Sequence, residues 1–413
     1  MIKVLTNYQY GAPQIDRNAG SLINILDKAL ISGFGESALD SMSMSGSTVT
    51  ATINAGNPYK DGDILHIDCS GQSEYVGDFV IYNCSNTQFL FDTETTSAPP
   101  ASGSMTAKIA PLDWVQGMSG TNKQIYIPGE GHQKLYLFED NGENDLYPYN
   151  VRIEAYDSCL AGTDVATVDI FESMLDIDNG LPASNFRKNF ILKEYKDYVE
   201  SGDKPWVIIG NNKQFYLLTS PQKTNTFALQ FEVCFFGQFP SYVPGDINNS
   251  VICARSASLT ADVPYFTQWC RETVNNKNAF QRIWDVGQLG LNIAYGGAYA
   301  LRDYSGTIAK SNIWLSSGAT GTSSNTGWSA TSAVEVNGCD MSVYYHPIYL
   351  AEERGIRGVL PGAYCSINKI VCPLPGGTRK QDIVTINGTE RQLQSWSLSS
   401  TSAYTFDITG PWE

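Results

Sequence analysis

The sequence predicts a mainly β protein with a minor α contribution. Its parts are a small N-terminal helix, a compact β module and a larger β-rich, sandwich-like domain. Short segments that alternate apolar and polar residues recur along most of the chain, which is typical of β-strands. Clusters of Asn, Asp, Gly and Ser separate these segments and favour turns between them. Only one segment has a clear helical period.

The helical segment spans residues 18–31, where apolar side chains recur at helical spacing. Asp16 or Asn18 can cap its N-terminus, and Gly33 supplies a stop signal. An extended aromatic segment, residues 8–13, precedes it, and the sequence shows no strand partner for its tyrosines. Two alternatives follow: the helix packs on its own domain, or the segment is an arm that docks on a neighbouring subunit.

Short alternating strands separated by turns extend over residues 47–108 and predict the compact β module. Within it, residues 93–104 are small and polar and include two prolines, which indicates a long loop or hairpin tip. We therefore expect an N-terminal arm and helix over residues 1–40, the β module over 41–110 and the large β-rich domain over 111–413.

The large domain contains a continuous apolar run at residues 206–210 that turns and resumes at 214–218, which predicts a buried hairpin. Two further helices are expected, over residues 185–199 and 266–274. Residues 316–332 are rich in Ser, Thr and Gly and predict a surface loop.

The acidic net charge of the chain argues against some classes of partner. The 413-residue chain has 27 basic and 42 acidic residues and a formal net charge of −15. Nucleic-acid affinity depends on Lys and Arg displacing counterions, and anionic membranes attract basic clusters, so we expect no nucleic-acid partner and no peripheral binding to anionic membranes. No apolar run approaches 18 residues, so we also expect no membrane insertion. The N-terminus has no signal-peptide apolar region, which predicts synthesis in a cytoplasm without export by a signal of its own.

Nine cysteines are scattered through the chain without a Cys-x-x-Cys pair. Their odd number and low density predict free thiols rather than a disulfide framework. Cys365 and Cys372 would suggest zinc only with two further closely spaced ligands, which the sequence lacks. The predicted free thiols are Cys69, Cys84, Cys159, Cys234, Cys253, Cys270, Cys339, Cys365 and Cys372.

No motif predicts an enzyme, a cofactor or a metal. The three histidines do not have the spacing of a helical metal pair, and there is no nucleophile elbow or glycine-rich phosphate loop. The acidic run at residues 176–180 lacks the glycine position of a calcium loop, and Arg187 stands where that loop needs Glu. The histidines are His66, His132 and His346.

Aromatic residues make up 12% of the chain and charged residues 17%. Many tyrosines stand in Gly-, Asn- or Pro-rich contexts that favour the surface. Subunit interfaces and sugar-binding platforms both use such side chains, and the low charge favours an interface.

Several segments, taken in order, resemble a family of virion structural proteins of tailed bacteriophages, of the tail or baseplate type. The match extends over nearly the whole chain, and the order of the segments is more specific than any one of them. The segments are Gly11-Ala12-Pro13, Asn18 to Leu22, Gly33-Phe34-Gly35, Val49 to Thr52, Gly56 to Tyr59, Gly62-Asp63, Tyr75 to Val80, Lys204 to Asn211, Phe215 to Leu217, Phe236 to Tyr242, Gly245-Asp246, Arg357 to Tyr364 and Phe406 to Trp412.

The resemblance implies a non-enzymatic structural component of a virion, synthesised and assembled in the host bacterial cytoplasm. Its partners would be copies of itself, as a trimer or hexamer, and other virion proteins. A capsid decoration protein, a head–tail adaptor and a receptor- or carbohydrate-binding tail module remain alternatives. The predicted interface residues are Tyr8, Tyr10, Pro13, Tyr242 and Trp412.

Overall fold

A computed structural model describes residues 1–130, 134–140, 150–156, 188–193, 204–220, 232–253, 255–257, 297–300, 313–316, 345–352, 355–366, 380–386, 388–399 and 402–412. The predicted mainly β class is confirmed, because the described residues form 25 strands and are helical only at 21–32 and 73–75. The predicted helix at 266–274, the loop after residue 316 and the acidic run at 176–180 lie outside the described residues.

In chain order the strands are β1 (Lys3–Thr6), β2 (Phe34–Ala38), β3 (Ser41–Ser45), β4 (Thr48–Thr52), β5 (Ile64–Cys69), β6 (Gly77–Val80), β7 (Gln88–Asp92), β8 (Met105–Ile109), β9 (Val115–Gly120), β10 (Lys123–Ile127), β11 (Leu135–Glu139), β12 (Asn150–Tyr156), β13 (Lys188–Leu192), β14 (Trp206–Gly210), β15 (Gln214–Thr219), β16 (Glu232–Gln238), β17 (Ser250–Cys253), β18 (Arg255–Ala257), β19 (Gly297–Ala300), β20 (Ile313–Ser316), β21 (Tyr345–Glu352), β22 (Gly355–Ser366), β23 (Lys380–Ile386), β24 (Thr389–Ser399) and β25 (Ser402–Asp407).

The chain divides into two compact units. The small unit comprises residues 5–14 and 24–114, and the large unit comprises residues 1–4, 15–23 and 115–413. The predicted three-part division at residues 40 and 110 stays a prediction.

The helical segment has two parts. An α-helix, α1 (Ser21–Leu26), continues as a π-helix over Asp27–Ser32. The segment ends at Gly33 as predicted, where φ is 73° and the amide donates to the carbonyl oxygen of Lys28. The predicted cap is corrected. The Leu22 amide donates to Asp140 at 3.0 Å, whereas the Asp16 carboxylate accepts bonds from Asn18.

The small unit contains a three-stranded sheet in the order β3-β4-β7 and a four-stranded sheet in the order β2-β8-β5-β6. Side chains alternate between buried and exposed along β4, β5 and β7, as expected for strands with one face in a core. Rings of Tyr59, Phe79, Phe89 and Phe91 pack on one another in that core. No strand lies between residues 93 and 104, in agreement with the predicted loop.

The large unit contains a six-stranded sheet, ordered β18-β13-β12-β11-β10-β9. Its second sheet has twelve strands, in the order β1-β14-β15-β16-β17-β19-β20-β21-β22-β25-β24-β23. The predicted hairpin is confirmed as β14 and β15, and every residue of both strands is buried. Asn211 closes its turn, because its side-chain oxygen accepts the amides of Lys213 and Gln214.

Both faces of this hairpin region are covered, which explains its continuous apolar sequence. On one face, Phe236 of β16 packs on Phe138 and Tyr136 of the six-stranded sheet, with the Phe138 ring centroid at 5.1 Å. On the other face, Tyr216 of β15 packs on Phe406 of β25 at 4.7 Å between ring centroids. Aromatic layers above and below the sheet therefore form the core.

The predicted helix over residues 185–199 is wrong. Residues 188–192 form β13, which pairs antiparallel with β12 and with β18. A short apolar segment such as Phe190-Ile191-Leu192 fits either helix or strand by pattern alone, and the hydrogen bonds offered by two neighbouring strands decide the outcome.

Candidate interaction surface

One buried ion pair holds the connection between β16 and β17 against β22. The Arg357 guanidinium of β22 donates through Nε to Asp246 Oδ2 at 2.8 Å and through Nη2 to Asp246 Oδ1 at 3.0 Å. Both side chains are completely buried. This two-pronged geometry is the strongest form of a protein ion pair, so it fixes the position and orientation of the connection. We call the ion pair of Arg357 and Asp246 the clamp.

Further hydrogen bonds satisfy the buried charges of the clamp. Arg357 Nη2 also donates to the carbonyl oxygen of Asn248 at 2.9 Å, and the guanidinium lies 5.4 Å from the centroid of the Phe239 ring. Ser241 Oγ donates to Asp246 Oδ2 at 2.8 Å. Burial alone would raise the pKa of Asp246, but the hydrogen bonds from Arg357 and Ser241 outweigh it and lower the pKa. The carboxylate is therefore held in its charged form.

The backbone brings the two segments of the clamp together. The Tyr242 amide donates to the Arg357 carbonyl at 2.7 Å, and the Val359 amide donates to the Pro240 carbonyl at 3.2 Å. At Gly358 a Cβ atom would collide with the Pro240 carbonyl oxygen and the Phe239 ring. Only glycine lets the two backbones approach this closely.

Three large apolar side chains face solvent on the two segments that carry Asp246 and Arg357. The exposed fractions of Tyr242, Ile247 and Ile356 are 56%, 57% and 55%. Ile247 and Ile356 are the sequence neighbours of Asp246 and Arg357, and the Tyr242 amide donates a hydrogen bond to the Arg357 carbonyl. The side chains of Arg357 and Asp246 themselves are buried. We call Tyr242, Ile247 and Ile356 the clamp surface. Exposed apolar side chains next to a buried ion pair make this surface a candidate for docking of another protein.

Three of the segments that resemble the phage family pack on one another in the large unit. The Tyr216 hydroxyl donates to the Pro361 carbonyl at 2.9 Å, and the Tyr216 ring lies 5.6 Å from the Trp412 ring. Gly362 lies directly against the Trp412 indole. Segments separated by up to two hundred residues thus form one packed cluster.

The predicted interface residues have different surroundings. Tyr242 is exposed, as an interface requires, and its interface role stays a prediction. Trp412 has an exposed fraction of only 6%, and its indole N–H donates to the Asp407 carbonyl at 2.8 Å. The side chain therefore lies in the core of its own chain, and its interface role stays a prediction.

The N-terminal segment also makes contacts within the chain. Residues 3–6 form β1 at one edge of the twelve-stranded sheet, and Ile2 belongs to the core of the large unit. No strand includes residues 7–13, in agreement with the lack of a strand partner predicted for Tyr8 and Tyr10. In the small unit, the Tyr10 ring meets Tyr59 edge-on at 6.0 Å. Tyr8 and Tyr10 remain exposed and Pro13 is half-buried, so their interface role stays a prediction.

A second buried ion pair anchors the start of α1. Lys193 Nζ donates to Asp140 Oδ1 at 2.7 Å, to the Asn18 carbonyl at 2.8 Å and to Ser21 Oγ at 3.1 Å. The side chains of Lys193 and Asp140 are completely buried. All three ammonium protons have acceptors, so the charge is satisfied where it lies. No sequence motif signals this pair.

His66 is the one histidine whose side chain the structure describes. In the small unit, His66 Nδ1 lies 2.7 Å from Asp78 Oδ1, and His66 Nε2 lies 3.6 Å from Asp68 Oδ1. The hydrogen bond to Asp78 raises the pKa of His66, against the opposing effect of burial. Among the described residues no group of His, Cys, Asp or Glu has an arrangement that could hold a metal ion.

Cys69, Cys84 and Cys234 are thiols in the structure. Burial, followed by the hydrogen bond with Asp61, raises the pKa of Cys84 to about 12, which disfavours the reactive thiolate. The side chains of the other six cysteines lie outside the described residues, and the prediction of nine free thiols stays a prediction.

In the part of the chain that the structure describes, no helix is long and apolar enough to cross a membrane. No protein-family model matches the sequence, and comparison with curated proteins finds no significant match.

Proposed function

We propose that this chain is a non-enzymatic structural component of a bacteriophage virion, of the tail or baseplate, that acts by self-assembly and by docking to other virion proteins. The observation that carries the proposal is the clamp surface, three exposed apolar side chains on a base fixed by a buried ion pair. The ordered segments that resemble the phage family add the assignment to a virion.

The clamp favours a docking role because it lowers the entropic cost of association. A surface that is already rigid loses little conformational freedom when a partner binds. Tyr242 supplies a large amphipathic ring, a side chain that is enriched among the residues that dominate interface energies. The charges of Arg357 and Asp246 are neutralised beneath the surface, so a partner does not have to desolvate them.

The expected assembly is a trimer or hexamer of this chain in contact with other virion proteins. Closed rings of this kind repeat one contact around an axis, so a single adhesive surface per copy suffices when it meets a different surface of the next copy. The net charge of −15 opposes self-association over most of the surface, which leaves uncharged regions such as the clamp surface for the contact.

The location of the chain in the virion is tested by immunogold electron microscopy. Antibodies raised against the purified chain are applied to phage particles from the strain that encodes it. Labels at the tail or baseplate support the proposal. Labels distributed over the whole head would support the capsid decoration alternative, and a ring at the neck the head–tail adaptor. Particles without label would contradict a virion role.

The contact is tested by light scattering of the purified chain. We expect the mass of a trimer or hexamer, and Tyr242→Ala should raise the concentration needed for assembly by about tenfold or more. Val80→Ala is the matched control, since Val80 is a comparably exposed apolar residue in the small unit. If both substitutions raised the concentration needed for assembly equally, the clamp surface would not form part of the assembly contact.

A further inference from the structure

In the described part of the large unit the two sheets have four edges, and these edges differ in how they are protected. Unprotected edges offer backbone N–H and C=O groups to other chains, and proteins block them by covering, shortening or bulging the edge strand. At one end of the twelve-stranded sheet, the edge strand β1 has only four residues. In the six-stranded sheet, β18 has only three residues.

The fourth edge strand, β23, is neither short nor bulged, and no strand of the described residues pairs with its outer side. The other end of the six-stranded sheet is β9, which contains two glycines and whose pairing with β10 is shifted by a bulge. In contrast, β23 has seven residues, contains neither Gly nor Pro, and pairs with β24 in unbroken register from Lys380 to Ile386. Ile383 at its centre has an exposed fraction of 64%.

We propose that β23 pairs antiparallel with β23 of a second copy of this chain, about a two-fold axis at Ile383. Among the described residues no strand lies on the outer side of β23. The pairing would join two twelve-stranded sheets into one continuous sheet, which is the sheet-edge mode of recognition. The proposal rests on the proposed function only in taking a second copy as the neighbour, and its two-fold axis fits a hexamer of two three-membered rings rather than an isolated trimer.

The sequence of β23 is complementary to itself in this register. In this register Ile383 pairs with Ile383 of the second copy, Gln381 with Thr385, Asp382 with Val384 and Lys380 with Ile386. No charged residue is therefore paired with a residue of like charge. The strand has one basic and one acidic residue, so two copies can approach here in spite of the net charge of −15.

The register is tested by disulfide cross-linking. Directly opposed residues of an antiparallel pair have Cα atoms about 4.5–5.5 Å apart, within the range that a disulfide spans. Ile383→Cys should therefore give a covalent dimer under mild oxidation. Thr385→Cys is the matched control, since its copies lie four positions apart in the proposed register. The wild-type chain, oxidised in parallel, sets the background from its nine native cysteines.

The energetic contribution is tested by sedimentation of variants with a charge at the edge. Ile383→Lys should weaken the two-fold contact by about tenfold or more, since lysine at an edge opposes strand pairing. Val115→Lys, which places the same charge on the exposed start of β9, should leave the contact unchanged. Both variants should unfold at the same urea concentration as the wild type, which shows that any change concerns association.

Absence of Ile383→Cys cross-linking above background, or equal association of Ile383→Lys and the wild type, would overturn the pairing of β23. Neither result bears on the gold labelling of particles, so the pairing can fail while the virion role stands. Conversely, cross-linking at Ile383 in a chain that is absent from particles would support the pairing and reject the virion role.

Discussion

The ion pairs of the large unit and the histidine pair of the small unit differ in burial. Arg357–Asp246 and Lys193–Asp140 are completely buried, whereas the side chains of His66 and Asp78 are 30% and 22% exposed. A buried pair is costly to break, because removal of one partner leaves the other charge without water or a counter-charge. In a pair close to solvent, a charge whose partner is removed can be hydrated instead.

The pairs also differ in what they connect. Arg357 reaches a residue 111 positions away, and Lys193 reaches a residue 53 positions away. His66 and Asp78 are 12 positions apart and lie opposite each other on β5 and β6, which the backbone already pairs. We infer that the buried pairs determine where segments of the large unit lie, whereas the His66 pair adds a pH dependence to strands already in place.

The largest effect is expected at the clamp. Asp246→Ala leaves the Arg357 guanidinium buried without its carboxylate and should destabilise the large unit by about 3–5 kcal/mol. The measurement is urea unfolding followed by tryptophan fluorescence. Lys123→Ala, which removes a partly exposed ion pair with Glu139, is the control and should cost less than about 1 kcal/mol.

The double variant Asp246→Leu/Arg357→Met separates the charge from the packing. Because it leaves no unpaired buried charge, it should recover a large part of the stability that Asp246→Ala loses. Asp246→Ala with a cost no greater than that of Lys123→Ala would show that the clamp does not hold the connection between β16 and β17.

A smaller effect is expected at Asp140, which keeps other hydrogen bonds when its charge is removed. Asp140→Asn should destabilise the large unit by about 2–3 kcal/mol, because the Lys193 ammonium loses its counter-charge. Hydrogen exchange should accelerate at the Leu22 amide, which donates to the Asp140 carboxylate. The Gly20 amide is the internal control, since it donates to the backbone carbonyl of the same residue at 2.9 Å. Equal acceleration at both amides would contradict a specific anchoring role for the carboxylate.

The sequence predicts those parts of the fold that depend on neighbouring residues. The hairpin of β14 and β15 is predicted because its apolar runs and the Asn211 turn are contiguous, and Gly33 stops the helical segment within its own turn. The segment at 188–192 is assigned wrongly, because strand partners distant in the chain outweigh its local pattern. Local pattern thus identifies elements well only where local contacts decide them.

The candidate site is predicted less well, for the same reason. Tyr242 is identified as a surface aromatic from its Pro- and Gly-rich context, and its exposure agrees. Trp412, another predicted interface residue, is buried because its indole fits against Gly362 and Tyr216, contacts that no local pattern contains. Asp246 and Arg357 occur in two of the segments that carry the resemblance, but only the fold shows that they form an ion pair.

The smallest effect is expected at His66, where it should depend on pH. The hydrogen bond to Asp78 raises the pKa of His66, and the Asp78 and Asp68 carboxylates add to this, whereas Lys108 on β8 opposes it. A raised pKa means that the folded state binds the proton more tightly than the unfolded state. The resulting stability is complete below the unfolded pKa of about 6.5 and is lost as the pH rises through the folded pKa.

His66→Gln should therefore destabilise the small unit more at about pH 5.5 than at about pH 9, by less than about 1 kcal/mol because the pair is close to solvent. The direct measurement is an NMR titration of the His66 ring proton, assigned by its disappearance in His66→Gln. Its midpoint should lie above about 6.5 in the wild type and should fall towards that value in Asp78→Asn. A midpoint that Asp78→Asn leaves unchanged would show that Asp78 does not hold the imidazolium. The contrast between the two units would then rest on the large unit's buried pairs alone.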